Sequence, residues 1–572
     1  MASETAGILP PGSGRNGFES DLGQSDLSSL IDLYLKEQRQ LSAVERFSQR
    51  HSGATEPTQA RYYRDLMPAT LPKTGQQYAF QVDLDRCSGC KACVSACHSM
   101  NGLDDNETWR EVGFLVGKQK PTLPQGKRIP LEVVATATMQ TVTTACHHCV
   151  DPGCLSGCPV LAYEKDPVTG IVRHLDDQCI GCTYCVMKCP YEVPKYSPKR
   201  GIVRKCDMCQ GRLAVGEAPA CVQACPSVAI AIRVVDVDTT LARAERLEFL
   251  PASPDPRITK PTTRYLTRRD GLELRAADDH RTTPQPAHWP LVFLLVFSQL
   301  GAGGFLAATA LDSTSASRAW LAVGSWIALQ IGLISSVFHL GRPLKAWRGF
   351  LGWRRSWLSR ELIALSAFAG VASTLVASVW VGHIPVITAK APSIVSMLQI
   401  VAKPVAGWWI VALSGAVGVF SSLIVYVDTR RPFWNPTETG LRFFGTLITL
   451  GYSLAWICST LTGSTESSTF AKIVLVASSI RILHAAAMLR SGANTLLAKT
   501  VSLHLHHYCK STAAWLALWA MGGIIIPILA LAGIVPAGVS IPAFVALVTG
   551  DLLERRLFFT TVAPVKMPGG SI

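Results

Sequence analysis

Sixteen of the eighteen cysteines in this 572-residue chain lie between Cys87 and Cys225, in four groups with short spacings. The groups are Cys87-x2-Cys90-x2-Cys93-x3-Cys97, Cys146-x2-Cys149-x4-Cys154-x3-Cys158, Cys179-x2-Cys182-x2-Cys185-x3-Cys189 and Cys206-x2-Cys209-x11-Cys221-x3-Cys225. In runs of this kind, closely spaced thiolates hold three irons of a cubane cluster and the fourth cysteine reaches the neighbouring cluster. Sixteen ligands, four to a cluster, therefore predict four [4Fe–4S] clusters.

Two other uses of cysteine fit the sequence less well. Zinc also takes four thiolates, but usually from two separated C-x2-C pairs and not from a compact C-x2-C-x2-C-x3-C run. A disulfide scaffold would need an exported chain. The N-terminal stretch MASETAGILPPGSGRNGFES has no basic region, apolar region or twin arginine of an export signal. A cytoplasmic iron–sulfur domain is the better interpretation.

The second half of the chain is dominated by apolar segments, most of which approach the roughly 20 residues that span a bilayer as a helix. Eight segments are predicted, at 291–311, 319–340, 361–383, 405–427, 443–461, 472–489, 513–535 and 540–560. The sixth contains Arg481 and His484, and the eighth ends in four charged residues, so seven spans are the alternative.

The distribution of charge points to a membrane and excludes nucleic acid as the partner. The net charge is +14, but residues 1–288 hold 34 basic and 33 acidic residues, whereas residues 289–572 hold 20 and 7. With the charged segment ends counted as loop, the loops after segments two, four and six and the C-terminal end from Arg555 onward carry 15 Lys and Arg, and the other loops carry 4. Because basic loops stay in the cytoplasm, we expect a multi-pass protein of the inner (cytoplasmic) membrane, embedded in lipid, with its cluster domain facing the cytoplasm.

Composition divides the chain into four parts. We expect an N-terminal extension over 1–76, partly disordered with a helix near 25–48; an iron–sulfur domain over 77–248; a Pro-rich linker over 249–288; and a membrane anchor over 289–572. The stretches YAFQVDL, GIVRHL and AIAIRVV predict strands. The apolar face of the N-terminal helix is expected to cover a neighbouring domain, with docking to a partner subunit as the alternative.

A row of one-electron centres implies electron transfer between distant sites, since side chains do not supply such chemistry themselves. One end of the row should be in the membrane, because the same polypeptide continues there. An anchor needs only one helix. Eight helices therefore favour a bundle that reacts with quinone.

The cysteine pattern, with CIGCTYCVMKCPYEVPKY and RKCDMC inside it, resembles the iron–sulfur subunit of the dimethyl sulfoxide reductase family of molybdoenzymes. Residues 290–560 resemble the membrane subunit of that family, through SSVFHLGRPLKAWRG, SWLSREL and YVDTRRPFWNP. The resemblance implies a fusion: an α+β ferredoxin-like four-cluster iron–sulfur domain followed by an all-α transmembrane bundle of about eight helices. It leaves the first ~75 residues and the stretch ETWREVG unexplained.

The resemblance also implies how the cysteines combine, in four sets. These are Cys87, Cys90, Cys93 and Cys225 (tetrad 1); Cys97, Cys206, Cys209 and Cys221 (tetrad 2); Cys146, Cys149, Cys154 and Cys189 (tetrad 3); and Cys158, Cys179, Cys182 and Cys185 (tetrad 4). The first group departs from the ferredoxin pattern, with His98 in place of proline after its last cysteine. The turn at that point is therefore expected to differ.

Subunits of this type work with a separate catalytic chain that holds a molybdopterin cofactor. The resemblance thus implies a non-catalytic electron-transfer and anchor subunit that exchanges electrons between the quinone pool and that chain. The cytoplasmic orientation resembles the cytoplasm-facing sulfite dehydrogenases of the family, which are one alternative. A quinol-oxidising module partnered with a cytochrome is another.

Two residues match positions that the resemblance associates with quinol binding. His339 ends the second apolar segment and Glu361 begins the third. A quinone headgroup requires hydrogen-bonding and proton-accepting groups near the interface. The alternative for Glu361 is an ion pair with an arginine, and the candidates are Arg342, Arg354, Arg355 and Arg360.

Several other residues have open or minor interpretations. Arg481 and His484, three apart on one helix face, either form internal ion pairs or line a proton path. A haem held by His339 and His484 is disfavoured because the family's membrane subunit lacks haem, so no haem is expected. His504, His506 and His507 are expected at the surface, and Cys458 and Cys509 as buried or interfacial thiols. His147 and His148 either tune a cluster or face solvent.

Overall fold

The computed structural model describes residues 24–53, 59–105, 107–119, 137–269, 272–312, 315–381, 405–490, 495–564 and 566–569. The chain divides into two compact units, Met1–Arg64 and Asp65–Ile572. The second unit contains both the cysteine-rich region and the apolar helices.

The N-terminal unit is helical, with helices Gln24–Gln40, Ala43–Gly53 and Ala60–Tyr63. The helix predicted over 25–48 is thus two helices. Ser42 explains the break, because its Oγ accepts from the backbone N of Glu45 (3.2 Å) while its own N donates to Glu45 Oε2 (2.8 Å). This reciprocal arrangement starts a new helix. Leu30, Ile31 and Val44 on the predicted apolar face are exposed, and its partner stays a prediction.

In the described residues of the cysteine-rich region the strands form four small sheets, two of which are local hairpins and two of which join strands that are distant in the chain. The strands are β1 Gln76–Asp83, β2 Glu111–Gln119, β3 Ala137–Thr144, β4 Tyr163–Lys165, β5 Val172–His174, β6 Lys195–Ser197, β7 Ile202–Arg204, β8 Ile230–Asp236, β9 Arg264–Leu266 and β10 Leu272–Ala276. The sheets have the orders β8-β1-β9, β10-β2-β3, β4-β5 and β6-β7. The three stretches predicted as strands correspond to β1, β5 and β8.

The segment predicted as a Pro-rich linker takes part in these sheets. β9 pairs in parallel with β1, and β10 pairs antiparallel with β2. Both strands lie between Pro261 and Pro284, in a stretch without proline, so their backbone N–H groups are free to enter a ladder. The segment is therefore built into the cysteine-rich region.

Short helices connect the strands and follow the cysteine loops. They are Ala92–Asn101, Gly153–Gly157, Tyr184–Lys188, Gln210–Ala214, Ala220–Gln223 and Val237–Glu245. Proline after a cysteine ends the preceding helix, as at Pro159 and Pro190. His98 does not, and the first helix continues to Asn101, whose Nδ2 donates to Cys97 Sγ (3.6 Å). The predicted departure at His98 is thus a longer helix.

Within the described part of the chain, seven helices are long and apolar enough to cross a membrane. They are Trp289–Ala308, Ala316–Val337, Trp357–Trp380, Val405–Val427, Pro436–Leu461, Ser467–Arg490 and Cys509–Leu531, here the first to seventh membrane helices. An eighth helix, Ser540–Thr560, stands at the eighth predicted segment. It contains Asp551, Glu554, Arg555 and Arg556 and is too charged to qualify by composition alone.

The eighth helix nevertheless packs inside the bundle and returns the chain to the cysteine-rich region. Asp551 and Glu554 are buried, and Arg442 Nη1 of the fifth helix lies 2.7 Å from Glu554 Oε1. Beyond this helix, Lys566 Nζ pairs with Asp278 Oδ2 (2.7 Å), and the N of Phe114 donates to the O of Gly569 (3.3 Å). The C-terminal tail therefore lies on the β2 sheet.

The loop after the second membrane helix contacts the loops of the cysteine-rich region. The N of Arg342 donates to the O of Ile180 (3.0 Å), and the N of Gly352 to the O of Pro159 (2.7 Å). At Gly341, a Cβ would lie 2.7 Å from the carbonyl carbon of Gly201, so only glycine permits this approach. The loop that carries GRPLKAWRG thus forms one of the contacts between the two regions.

Candidate functional site: four cysteine tetrads and an interfacial cavity

Two cavities in the cysteine-rich region are each lined by four cysteines. One is lined by all four cysteines of tetrad 1 and the other by all four of tetrad 3. In the described residues, no three His, Cys, Asp or Glu side chains converge closely enough to hold a single metal ion. The cysteines instead surround a volume, as ligands at the corners of a cubane would.

Within tetrad 2, and likewise within tetrad 4, the cysteines lie close to one another. Burial raises the pKa of the Cys97 thiol to about 12, with contributions from the neighbouring Cys221 and Cys209 thiolates. Burial likewise raises the pKa of Cys182, together with Cys158 and Cys179. Such thiols stay protonated near neutral pH unless a cation binds them, and bound iron would deprotonate them. The donor set fits [4Fe–4S] clusters.

Backbone amides point at the cysteine sulfurs. The N of Ala162 donates to Cys158 Sγ (3.2 Å) and the N of Ala229 to Cys225 Sγ (3.3 Å). Tight turns make this geometry accessible: Gly181, with φ of 71°, follows Cys179 and donates to its Sγ (3.4 Å). These hydrogen bonds stabilise negative charge on sulfur and belong to the groups that set the potential of a bound cluster.

The tetrads lie in a row, from tetrad 1 through tetrads 2 and 3 to tetrad 4. Cys93 of tetrad 1 neighbours Cys221 of tetrad 2. Lys205 Nζ lies 3.7 Å from Cys146 Sγ of tetrad 3 and donates to the O of Cys206 of tetrad 2 (2.7 Å). Between tetrads 3 and 4, the buried Tyr163 interacts with cysteines of both. Cys90 of tetrad 1 is exposed, so the row has one end at the protein surface.

The other end reaches an apolar cavity of about 140 Å³ between the cysteine-rich region and the membrane helices. His339, Glu361 and Cys182 all line it, together with Tyr184 and Tyr426. The two residues predicted to bind quinone are thus in the same cavity, beside a cysteine of tetrad 4.

Glu361 is buried in this cavity region and His339 is half-buried, and the two differ in their contacts. His339 Nε2 lies 3.3 Å from Thr183 Oγ1, and burial lowers the pKa of its imidazole to about 4, with a smaller effect of His288. Glu361 is 5% exposed. Nearby arginines bond elsewhere: Arg342 to the O of Asp176 and Arg360 to the O of Trp353. The arginine interpretation of Glu361 is therefore not favoured.

Tyr184 is a site residue that the sequence did not single out. It lies between Cys182 and Cys185, is 1% exposed, and its hydroxyl donates to the O of Val425 (2.9 Å) in the fourth membrane helix. No sequence pattern marks Tyr184, because its contact with Val425 joins residues far apart in the chain.

Arg481 and His484 of the sixth helix, whose interpretation the sequence left open, each lie against a carboxylate. Arg481 pairs with Asp551, which also accepts from Thr446 Oγ1 (2.9 Å). His484 Nε2 lies 3.1 Å from Glu438 Oε2. Both contacts agree with the internal ion-pair interpretation.

Two expectations about histidines are wrong. The sequence predicts His504 at the surface, but it is fully buried, with Nε2 3.0 Å from Thr561 Oγ1; His506 and His507 are exposed. The solvent-facing interpretation of His147 and His148 also fails, since both are buried against tetrad 3. The turn that presents the cysteines buries these rings. Cys458 is buried and Cys509 is exposed.

Comparison with known proteins identifies both halves of the chain. Residues 137–235 match the 4Fe-4S dicluster domain family, and residues 285–560 match the DMSO reductase anchor subunit (DmsC) family. These are the two parts that the sequence analysis expected in one polypeptide.

The similar proteins match this chain over its cysteine-rich region. The B subunit of anaerobic dimethyl sulfoxide reductase from Haemophilus influenzae is 35% identical over 161 residues, 28% of this chain and 76% of that protein. The B subunit of the same enzyme from Escherichia coli is 34% identical over 187 residues, which are 32% of this chain and 86% of that protein. The Escherichia coli formate dehydrogenase-O iron-sulfur subunit is 35% identical over 193 residues, which are 32% of this chain and 62% of that protein. The chain therefore belongs to the dimethyl sulfoxide reductase family, as an electron-transfer iron–sulfur subunit that continues into a membrane anchor subunit.

Proposed function

We propose that this subunit passes electrons between the quinone pool and a separate molybdopterin-containing catalytic subunit, through four [4Fe–4S] clusters. One observation carries the proposal: His339, Glu361 and Cys182 line one cavity. A quinol bound there would be in contact with groups that handle protons and would lie beside a ligand of the nearest cluster.

The cavity has the chemistry that a quinone headgroup needs. Its lining is mostly apolar, which suits a ring with an isoprenoid tail. His339 offers a ring nitrogen for a hydrogen bond to one headgroup oxygen, and Glu361 offers a carboxylate that accepts a proton. Oxidation of a quinol releases two electrons and two protons, so both kinds of acceptor are required at one place.

The four tetrads would hold four clusters, each of which passes single electrons when bound. Tetrad 4 is next to the cavity and tetrad 1 has the exposed Cys90. Electrons would therefore exchange with quinone through tetrad 4 and with the catalytic subunit through tetrad 1. We infer that the catalytic subunit docks over the Cys90 loop.

We further propose that the cluster domain faces the cytoplasm from the inner membrane. The loops with 15 Lys and Arg include the loop at Gly341 and the C-terminal tail, which both contact the cysteine-rich region. Basic loops stay in the cytoplasm. This orientation favours a cytoplasm-facing sulfite dehydrogenase as the second candidate, in which electrons flow from sulfite to quinone.

The test is reduction of the clusters by a quinol analogue in purified protein, followed by visible absorbance and EPR. Wild-type protein should be reduced, and His339→Ala should not be, although dithionite reduces both. Glu361→Gln should be slowed to a smaller degree. The matched control is His507→Ala, an exposed histidine in a different loop. Wild-type rates in His339→Ala would contradict the proposed quinol site.

A further inference from the structure

A buried lysine separates tetrads 2 and 3. Lys205 is 3% exposed and precedes Cys206 in the RKCDMC sequence. Its Nζ lies 3.7 Å from Cys146 Sγ of tetrad 3 and donates to the O of Cys206 of tetrad 2 (2.7 Å) and to the O of Val172. Burying an ammonium group is expensive unless negative charge accompanies it. Lys205 therefore places a positive charge between these two tetrads.

A buried arginine separates tetrads 1 and 2 in the same way. Arg110, from the ETWREVG stretch, is 2% exposed, and its Nη1 donates to Thr143 Oγ1 (3.1 Å). Thr143 Oγ1 lies 3.6 Å from Cys93 Sγ of tetrad 1. The guanidinium also lies beside the side chain of Cys221 of tetrad 2.

Arg110 has hydrogen-bonding capacity that the described residues do not use. Its Nε and Nη2 are buried without a hydrogen-bond partner among the residues that the structure describes. The face of Phe80 lies 4.7 Å from the guanidinium carbon and cannot replace an anionic acceptor. A buried, unpaired guanidinium N–H is costly. Cluster sulfur in the adjacent cavities is the acceptor whose chemistry fits.

We infer that the positive charges of Arg110 and Lys205 raise the reduction potential of the cluster that tetrad 2 would hold. The inference rests on the proposed four-cluster function. Tetrad 2 is the only tetrad, in the part of the chain that the structure describes, to which both of these cations are adjacent.

The direction follows from charge. A cluster becomes more negative when it accepts an electron, and a nearby fixed positive charge stabilises that form. In the buried interior this effect is screened far less than at the surface. Arg204, another buried cation of the region, is already paired with Glu107 (3.0 Å), so it contributes less.

The test compares neutral and charge-keeping variants of the full-length protein by redox titration followed by EPR. The signal of tetrad 2 is identified by its change in Cys209→Ser. Lys205→Met and Arg110→Gln should each lower the midpoint potential of the tetrad 2 cluster by at least about 59 mV. This shift corresponds to a tenfold change in the equilibrium constant for one-electron reduction. Lys205→Arg and Arg110→Lys should restore most of the shift. Lys199→Met removes an exposed charge, with a side chain 73% exposed, and should leave all potentials unchanged.

Iron content distinguishes failure of this inference from failure of the four-cluster proposal. If both neutral variants contain four clusters with unchanged potentials, the proposed role of the two cations is wrong and the four-cluster proposal still stands. If Lys205→Met loses iron, Lys205→Gln is the second neutral variant because it keeps a buried N–H donor. Iron loss in both, with full iron in Lys205→Arg, would mean that the charge is needed for assembly and would contradict a tuning role.

Discussion

Thr183 Oγ1 lies 3.3 Å from His339 Nε2, and this contact joins a loop of tetrad 4 to the loop after the second membrane helix. Thr183 follows Cys182 directly in the chain. The histidine proposed to bind quinol is therefore held in place by the same loop that supplies a ligand to the nearest cluster.

Thr183→Val should slow the reduction of the clusters by quinol without lowering iron content. The lost hydrogen bond is worth about 0.5–1.5 kcal/mol, which corresponds to a roughly twofold to tenfold decrease in rate if it orients the imidazole. Stopped-flow absorbance measures the rate. Thr374→Val, an exposed position in the third membrane helix, is the matched control. An unchanged rate in Thr183→Val would mean that the contact does not orient His339.

Gly341→Val should separate the membrane loop from the cysteine-rich region. The new side chain would collide with Gly201 and with Tyr196 Oη, which lies 2.8 Å from the position of a Cβ. We expect full iron content, increased proteolysis of the loop and loss of reduction by quinol. Gly370→Val is the control, because a Cβ at Gly370 meets no atom within 4 Å. Equal behaviour of the two variants would contradict the docking role of Gly341.

Arg481→Met should destabilise the bundle. It leaves Asp551, which is 0% exposed, without its guanidinium partner, and removing one member of a buried ion pair costs about 3–5 kcal/mol. Thermal unfolding of the detergent-solubilised protein measures the effect. The double variant Arg481→Met/Asp551→Leu should recover most of the loss, since neither charge remains unpaired. A double variant as unstable as the sum of the single variants would favour a separate role for each residue, such as a proton path.

Reporter fusions test the proposed orientation. A reporter that is active only in the periplasm should be inactive after Ile572, because the C-terminal tail lies on the cluster domain through Lys566 and Asp278. The same reporter after Asp312, between the first two membrane helices, should be active and is the positive control. The reverse pattern would place the cluster domain in the periplasm.

The elements that the sequence predicted well are those set by local chemistry. The cysteine spacings specify their own loops, and long apolar runs leave helix as the only way to satisfy backbone groups in a membrane. All eight predicted segments overlap helices, although the ends differ by several residues.

Features that depend on contacts between distant segments were not predictable from one sequence. The pairing of β9 and β10 with earlier strands, the burial of His504 against Thr561 and the contact of Tyr184 with Val425 all join residues far apart in the chain. Local pattern carries no information about such partners. For Arg481, the sequence limited the choice to pairing or a proton path, and its pairing with Asp551, 70 residues further along the chain, is visible only in the structure.

Iron and sulfide analysis of anaerobically purified protein tests the central claim most directly. Four tetrads predict about sixteen irons and as many sulfides per chain, with no stoichiometric zinc. Fewer than about twelve irons, accompanied by a matching amount of zinc, would contradict the four-cluster account, because zinc in a thiolate site cannot pass electrons.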